Sequence, residues 1–421
     1  MRTKNHAGIG IPTVCALILG TSILVAGAAG AQELSGGVPG EWLSRYTSAR
    51  TAGVGGAFVA TANEPLGLLW NPAGLTRMNR NEIHFETARL FEDTRIQGLG
   101  FAVPGRRLPS VGLAVISLRS GDFEKTNDLN EPLGSFHEGD LAFLVSASKQ
   151  VTSRLALGAN FKIVRQSIDE FDGSGFGTDL GALFEVTPTL RLGASLLNVG
   201  GPRIKLRETD DTHPVETRGG VAWRFLSGKG IVSAEIDHRD GPGVTFHSGT
   251  EFWLHPSMAL RVGYSDTAPA GGFSYVVSPD WRLDYGLSDH ELGVTHRIGI
   301  SYRFGGFFAD SRAHPRVFSP LGVQAVTKFE LEAHTKADVN RWALEIVDKQ
   351  DQVVRHFGGS GSPPSHVMWD GKDEVGLPLP DGLYRYQLTV RDDQGAELVA
   401  HERLVEITTE GPQGSVPVLL D

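Results

Sequence analysis

The chain has 421 residues, a formal net charge of −10, 53 glycines and one cysteine. The acidic balance, with no basic stripe, argues against a nucleic-acid partner. Beyond the N-terminus no run of 18 or more apolar residues occurs, which argues against membrane helices but leaves a β-barrel open.

In chain order, Arg2 and Lys4 form a basic start, residues 9–28 are mostly apolar, and Ala29-Gly30-Ala31 supplies an A-x-A site. Residues 1–31 are therefore expected to be a cleaved signal peptide, a membrane anchor being the alternative. Cys15 lies inside this segment, and the mature, exported chain would have no disulfide. Residues 32–81 follow, dominated by GVGGAFVATANEPLGLLWNPAGL from Gly53 to Leu75. This stretch of small apolar residues fits neither a strand nor a full helix. Asn71, being the residue before a proline, is expected to end it.

From 82 to 304 apolar and polar residues alternate. Leu155, Leu157, Ala159, Phe161 and Ile163 interleave with Ala156, Gly158, Asn160 and Lys162; Trp281, Leu283, Tyr285 and Leu287 interleave with Arg282, Asp284 and Gly286. A period of two gives each strand two distinct faces. About fourteen such segments can be drawn, most near the ~9–11 residues that a tilted strand needs to cross a bilayer. Every second connection is tight, as at 104–108, 151–153, 187–188, 227–229, 255–256 and 278–279. The others are often longer and polar, notably 120–138, 167–175 and 199–214. A soluble sandwich can alternate too, but has no reason to keep this asymmetry, so the expected fold is an all-β, about 14-stranded antiparallel transmembrane barrel with short periplasmic turns.

In such a barrel the polar face meets the lumen, which places Glu82, His84, Glu86, Lys162, Asp179, Arg191, Glu216, Arg218, Arg224, Glu235, Asp237, Glu251, Arg261, Arg282 and Asp284 inside. The signs are mixed, so internal pairing is expected and no ion-selective ring is indicated. Leu144 and Leu183 are among the few large apolar inward residues. Trp223, Trp253, Trp281, Tyr285 and Tyr302 are candidates for the aromatic girdles. Residues 305–322 read as a linker. Residues 323–410 read as a β-sandwich of six or seven strands, and 411–421 as a tail. An even strand count returns the chain to its starting side, which would put this sandwich in the periplasm.

Two resemblances add to this reading. Gly53-Val-Gly-Gly-Ala-Phe-Val-Ala with Leu69-Trp70-Asn71-Pro72-Ala73-Gly74-Leu75, together with Gly175-Phe-Gly-Thr-Asp-Leu-Gly-Ala and Leu197-Asn-Val-Gly200, resembles the PorV/PorQ family of outer-membrane barrels, related in architecture to FadL fatty-acid transporters. The resemblance implies that the N-terminal stretch, marked by Gly53, Gly55, Gly56, Phe58, Trp70, Asn71, Pro72, Ala73 and Gly74, is a hatch inside the barrel. Trp369-Asp-Gly-Lys-Asp-Glu-Val-Gly376 with Leu379-Pro-Asp-Gly-Leu-Tyr-Arg-Tyr386 is similar to the FlgD-type immunoglobulin-like domain. It implies a turn at Trp369, Asp370, Gly371 and Gly376, and core or turn roles for Gly382 and Tyr384. Asp370, Asp373 and Glu374 lack EF-hand spacing and read as turn residues before calcium ligands.

No Gly-x-Ser-x-Gly elbow, His-Glu-x-x-His pair or cysteine pair occurs, so neither an enzyme nor a cofactor or metal is expected. The acidic stretch Ser120-Gly-Asp-Phe-Glu124, with Asp128, Glu131 and Asp140 further on, reads as a solvated surface loop, with cation binding near lipopolysaccharide as the alternative. The expected location is the outer membrane of a Gram-negative-type bacterium, with lipid and lipopolysaccharide as surroundings. Three functions are weighed. The first is passage of a hydrophobic ligand through the lumen. The second, implied by the PorV branch, is cargo handling in a type IX-like secretion system. The third is an anchor whose immunoglobulin-like domain binds a periplasmic partner, including by edge-strand pairing.

Overall fold

The computed structural model describes residues 39–409 apart from 41, 44–47, 91–92, 106–107, 209, 240–242, 266–267, 290–292, 323–324 and 401. The expected signal peptide and tail lie outside the described residues. The chain forms two units, 1–304 and 305–421.

Fourteen strands of the first unit close into an antiparallel barrel: β1 (Asn81–Arg89), β2 (Arg95–Val103), β3 (Ser110–Thr126), β4 (Pro132–Gln150), β5 (Leu155–Ile168), β6 (Phe171–Glu185) and β7 (Leu190–Val199) come first. A small hairpin of β8 (Arg203–Lys205) and β9 (Asp210–Thr212) intervenes. The barrel continues with β10 (Glu216–Phe225), β11 (Gly230–Arg239), β12 (Gly243–His255), β13 (Met258–Ser265), β14 (Ala268–Val276), β15 (Trp281–Ser288) and β16 (Thr295–Phe304). Each barrel strand pairs with the next, and β1 closes on β16 from Asn81↔Phe304 to Arg89↔His296. Both ends of the barrel sequence therefore emerge at the tight-turn end.

Alternation explains the closure. On β4, buried Asp140, Ala142, Leu144, Ser146 and Ser148 interleave with exposed Leu141, Phe143 and Val145. Around the circumference Phe85, Leu99, Phe161, Leu180, Ile236, Phe273 and Ile300 are likewise exposed. A continuous apolar belt of this kind is the lipid face of a membrane barrel. Toward the tight-turn end aromatic rings meet across and along strands, with Trp281 of β15 and Tyr302 of β16 at 4.7 Å, Tyr302 and Phe304 of β16 at 5.7 Å, and Trp223 and Phe225 of β10 at 5.4 Å between centroids. Tyr285 is hydrogen-bonded to His296 at 2.7 Å on the outer surface. Trp253 departs from the expected girdle: it shares the inward face with Glu251 and donates to it at 3.3 Å.

The expected loops at 120–138 and 167–175 are largely strand. Ser120 pairs with Glu138, Lys125 with Gly134 and Ser167 with Asp172. β4, at 19 residues, exceeds the ~9–11 needed to span, so these hairpins run on past the bilayer. There both faces meet water, and apolar–polar alternation lapses while the hydrogen-bond ladder continues. Asp140, grouped with the acidic surface loop, is instead buried on β4.

In the second unit, β17 (Phe308–His314), β19 (Thr327–His334) and β22 (His366–Trp369) form one sheet. The other runs β18 (Val317–Phe318), β25 (Arg403–Ile407), β23 (Gly382–Asp392), β20 (Val339–Val347) and β21 (Val353–Ser360), with β24 (Glu397–Val399) also on β23. The stretch 305–322 is thus no linker. Its strands β17 and β18 pair with β19 and β25, contributing Ala313 and Phe318 to the core.

Trp369 centres that core, with ring centroids of Phe318, Phe329 and Tyr384 at 5.4, 6.1 and 5.8 Å. Its indole N–H donates to the Lys372 carbonyl at 2.9 Å, and the Tyr384 hydroxyl donates to the Pro380 carbonyl at 2.7 Å. Asp373 accepts from the Val375 and Leu377 amides, and Asp370 from the Lys372 amide. Glu374 accepts from the His356 amide. These carboxylates serve the turns, and among the described residues no cluster suited to a metal occurs. Trp369→Ala is expected to cost about 3–5 kcal/mol and to open 305–409 of the intact protein to limited proteolysis. A variant as protease-resistant as the parent would contradict this.

Candidate functional site

The candidate site is the inner face of the barrel and the N-terminal segment against it. The segment begins with a one-turn helix, α1 (Ala49–Gly53), whose cap Ser48 accepts from the Thr51 amide at 3.2 Å. Two 3-10 helices follow, Pro65–Leu69 and Pro72–Arg77. Asn71 opens the second of these, correcting the expectation that it ends the segment. Its side chain accepts from the Ala73 amide at 3.1 Å, and Pro72, lacking an N–H, suits the first helical position. Gly55 and Gly56 take φ of 62° and 87°, values that favour glycine.

The segment touches the inward side of all fourteen barrel strands. α1 meets β13–β16, the first 3-10 helix β1–β3 and the second β3–β6. Residues 54–59 reach Gly193, Gly220, Glu235 and Gly249 on β7, β10, β11 and β12. Glycines on the wall permit this approach. A β-carbon on Gly263 would overlap the backbone of Val54 and Gly55, and one on Gly158 would lie 2.5 Å from the Ala73 amide.

The interior has two chemically different sectors. One is a network of buried charges joining segment to wall. Arg50 donates to both Glu251 oxygens at 2.8 and 3.0 Å and to Asn63 at 2.5 Å. Arg261 donates to Glu251 at 2.7 Å and lies 3.4 Å from Asp284. Arg282 pairs with Asp284 at 2.7 Å and Glu82 at 3.5 Å, and Arg303 with Glu82 at 3.0 Å. Glu64, fully buried, accepts from Ser48 at 2.5 Å between Arg50 and Arg282, each 3.7 Å away. His84 bridges Ser301 and Glu86 at 2.8 and 3.1 Å.

A second group holds residues 55–59. Glu235 accepts from the Phe58 and Val59 amides at 2.7 and 2.6 Å, and His247 links the Gly55 carbonyl to Asp237 at 2.8 and 2.9 Å. Arg218 pairs with Glu216 at 2.6 Å and lies over the Trp70 ring at 4.8 Å, while Trp70 meets Phe58 edge-on at 6.4 Å. Lys162 pairs with Asp179 at 2.6 Å. Asn71 donates to the Val59 and Ala182 carbonyls at 2.9 and 3.0 Å. Arg191 and Arg224 stand apart from these groups, with Glu185 at the tight-turn end.

The opposite sector is apolar. Leu66, Leu68 and Leu75 of the segment cluster with Ile96, Ala114, Ile116, Ala142, Leu144 and Val164 of β2–β5, and Ile204 of β8 joins them. Reading the lumen as mostly charged missed most of this wall, of which alanine supplies a third. Arg50, Glu64, Arg77 and Glu185 were missed as well. Arg239 and Arg297, buried on β11 and β16, stand at further inward positions of the same alternation and were legible from it.

No protein-family model and no curated protein matches the chain. Among solved structures it is similar to the CymD monoaromatic hydrocarbon channel, at 16% identity and a TM-score of 0.47 over 60% of this chain and 96% of that one. It is similar to the Pseudomonas putida toluene transporter TodX at 15% and 0.47, over 60% and 96%. A Pseudomonas aeruginosa FadL homologue gives 11% and 0.48, over 62% and 98%.

Proposed function

We propose that this chain is a non-enzymatic outer-membrane channel for small hydrophobic molecules, with residues 48–78 as the hatch of its lumen. The observation that carries the reading is the apolar sector, where Leu66, Leu68 and Leu75 meet the β2–β5 wall. Buried, hydrogen-bonded ion pairs are costly to break, so the charged sector holds the hatch and movement falls to the apolar side. A path opened there is lined by aliphatic side chains and admits apolar solutes in preference to hydrated ones. The tight-turn end faces the periplasm, and unit 305–421, which follows directly from Phe304, lies there.

Proteoliposomes holding the full chain should take up radiolabelled toluene faster than glucose. Leu144→Asn, which puts an amide on the path, should slow toluene entry about tenfold while leaving the folded fraction high. Uptake equal to that of empty liposomes would overturn the reading.

A second reading, cargo handling of the PorV/PorQ kind, is favoured by the appended unit. Its β21 is an edge strand, and such edges accept an added strand. It predicts a secreted protein that co-purifies with the full chain and is lost when 305–421 is deleted.

A further inference from the structure

We infer that the tight-turn mouth of the barrel carries an oxyanion-binding site built from Arg77, Arg191 and Arg224 around Glu185. Glu185 and Arg191 face each other across the β6–β7 pair, Arg224 stands on the inward face of β10, and Arg77 ends the second 3-10 helix. All three guanidinium groups converge on one carboxylate oxygen, Glu185 Oε1, at 2.9 Å from Arg77, 3.2 Å from Arg191 and 3.9 Å from Arg224. Three cations share one anion, an excess of two positive charges.

In the network from Arg50 through Glu251, Arg261 and Asp284 to Arg282 acids and bases alternate, whereas here three bases meet one acid. Arg191 sharpens the point. Its side chain is only 10% exposed, and its Nε is buried with no hydrogen-bond partner, although Nη1 reaches the Ala60 carbonyl at 3.4 Å. A buried guanidinium N–H without an acceptor is costly. Arg77, Arg224 and Glu185 are 29%, 36% and 25% exposed, so the cluster opens to solvent on one side. Guanidinium forks match the geometry of planar and tetrahedral oxyanions. A carboxylate or phosphate entering from that side would relieve the repulsion among the three cations and give Arg191 Nε an acceptor. The site stands on these four side chains alone and does not depend on the transport reading.

Hexanoate, inorganic phosphate and hexanol are the probes, titrated calorimetrically into the detergent-solubilised full chain. Saturable binding is expected for hexanoate, phosphate or both, and not for hexanol. Arg224→Gln should weaken it at least fivefold. Glu185→Gln, which removes the competing carboxylate, should tighten it severalfold, an outcome that misfolding cannot mimic. Tighter hexanoate assigns the site to carboxylates of amphipathic molecules, and tighter phosphate assigns it to phosphate-bearing ones. If neither anion binds, or both variants bind as the parent does, the inference is wrong.

Discussion

Replacing Gly263 by valine should dislodge the hatch and raise the open population of the barrel about tenfold or more. A side chain there overlaps the backbone of Val54 and Gly55, so no rotamer change relieves it. Gly55 cannot retreat easily, because His247 holds its carbonyl at 2.8 Å and its φ of 62° fixes the local turn. Overpacking a well-filled interior costs about 1–3 kcal/mol or more, and about 1.4 kcal/mol is a factor of ten in a population. Single-channel conductance in planar bilayers reads the change directly. The control is Gly219→Val on β10, where an added β-carbon meets open space. If the two variants conduct alike, the close approach of segment and wall is not what keeps the lumen filled.

Removing Glu251 should have the largest effect on stability. Its carboxylate joins Arg50 of the segment to Arg261 of the wall, and all three side chains are buried. Glu251→Ala takes from two buried guanidinium groups the carboxylate they share, leaving Arg50 with Asn63 and Glu64 and Arg261 with Asp284. Breaking a buried pair from one side costs about 3–5 kcal/mol. The variant should unfold at a markedly lower temperature in heat-modifiability gels. Adding Arg50→Met should return part of the loss, because one of the two cations deprived of that carboxylate disappears. Additive losses in the double variant would show that Arg50 and Glu251 are not coupled.

The barrel was legible in the sequence for a physical reason. Lipid and lumen impose opposite demands on alternate residues, and that demand is strict enough to mark all fourteen strands. It stops at the bilayer surface, which is why the outer halves of β3 and β4 read as loop. The ion pairs themselves could not be read. Arg50 and Glu251 are 201 residues apart, and alternation assigns a face without assigning a partner. The N-terminal segment has no period at all; only Ser48, a helix cap before Ala49-Arg50-Thr51, hints that Arg50 lies on ordered structure. The apolar sector escaped in part: Leu144 stands out as an inward apolar residue, but Ala114 and Ala142 beside it are too small to mark a face. In the second unit, Gly305 and Gly306 suggested a linker where the chain turns directly into β17.

The reach of residues 48–78 also bears on how the barrel is made. Closing β1 on β16 joins sites such as His84 and Ser301, 217 residues apart. α1 packs on β13–β16, while the chain just beyond the segment becomes β1. Once α1 has docked on the last four strands, β1 is tethered to its partner by about thirty residues instead of about two hundred. That shortens the closing loop by an amount worth on the order of 2 kcal/mol of chain entropy. The segment is then a splint as well as a stopper, and filling the barrel and shutting it become one cooperative step.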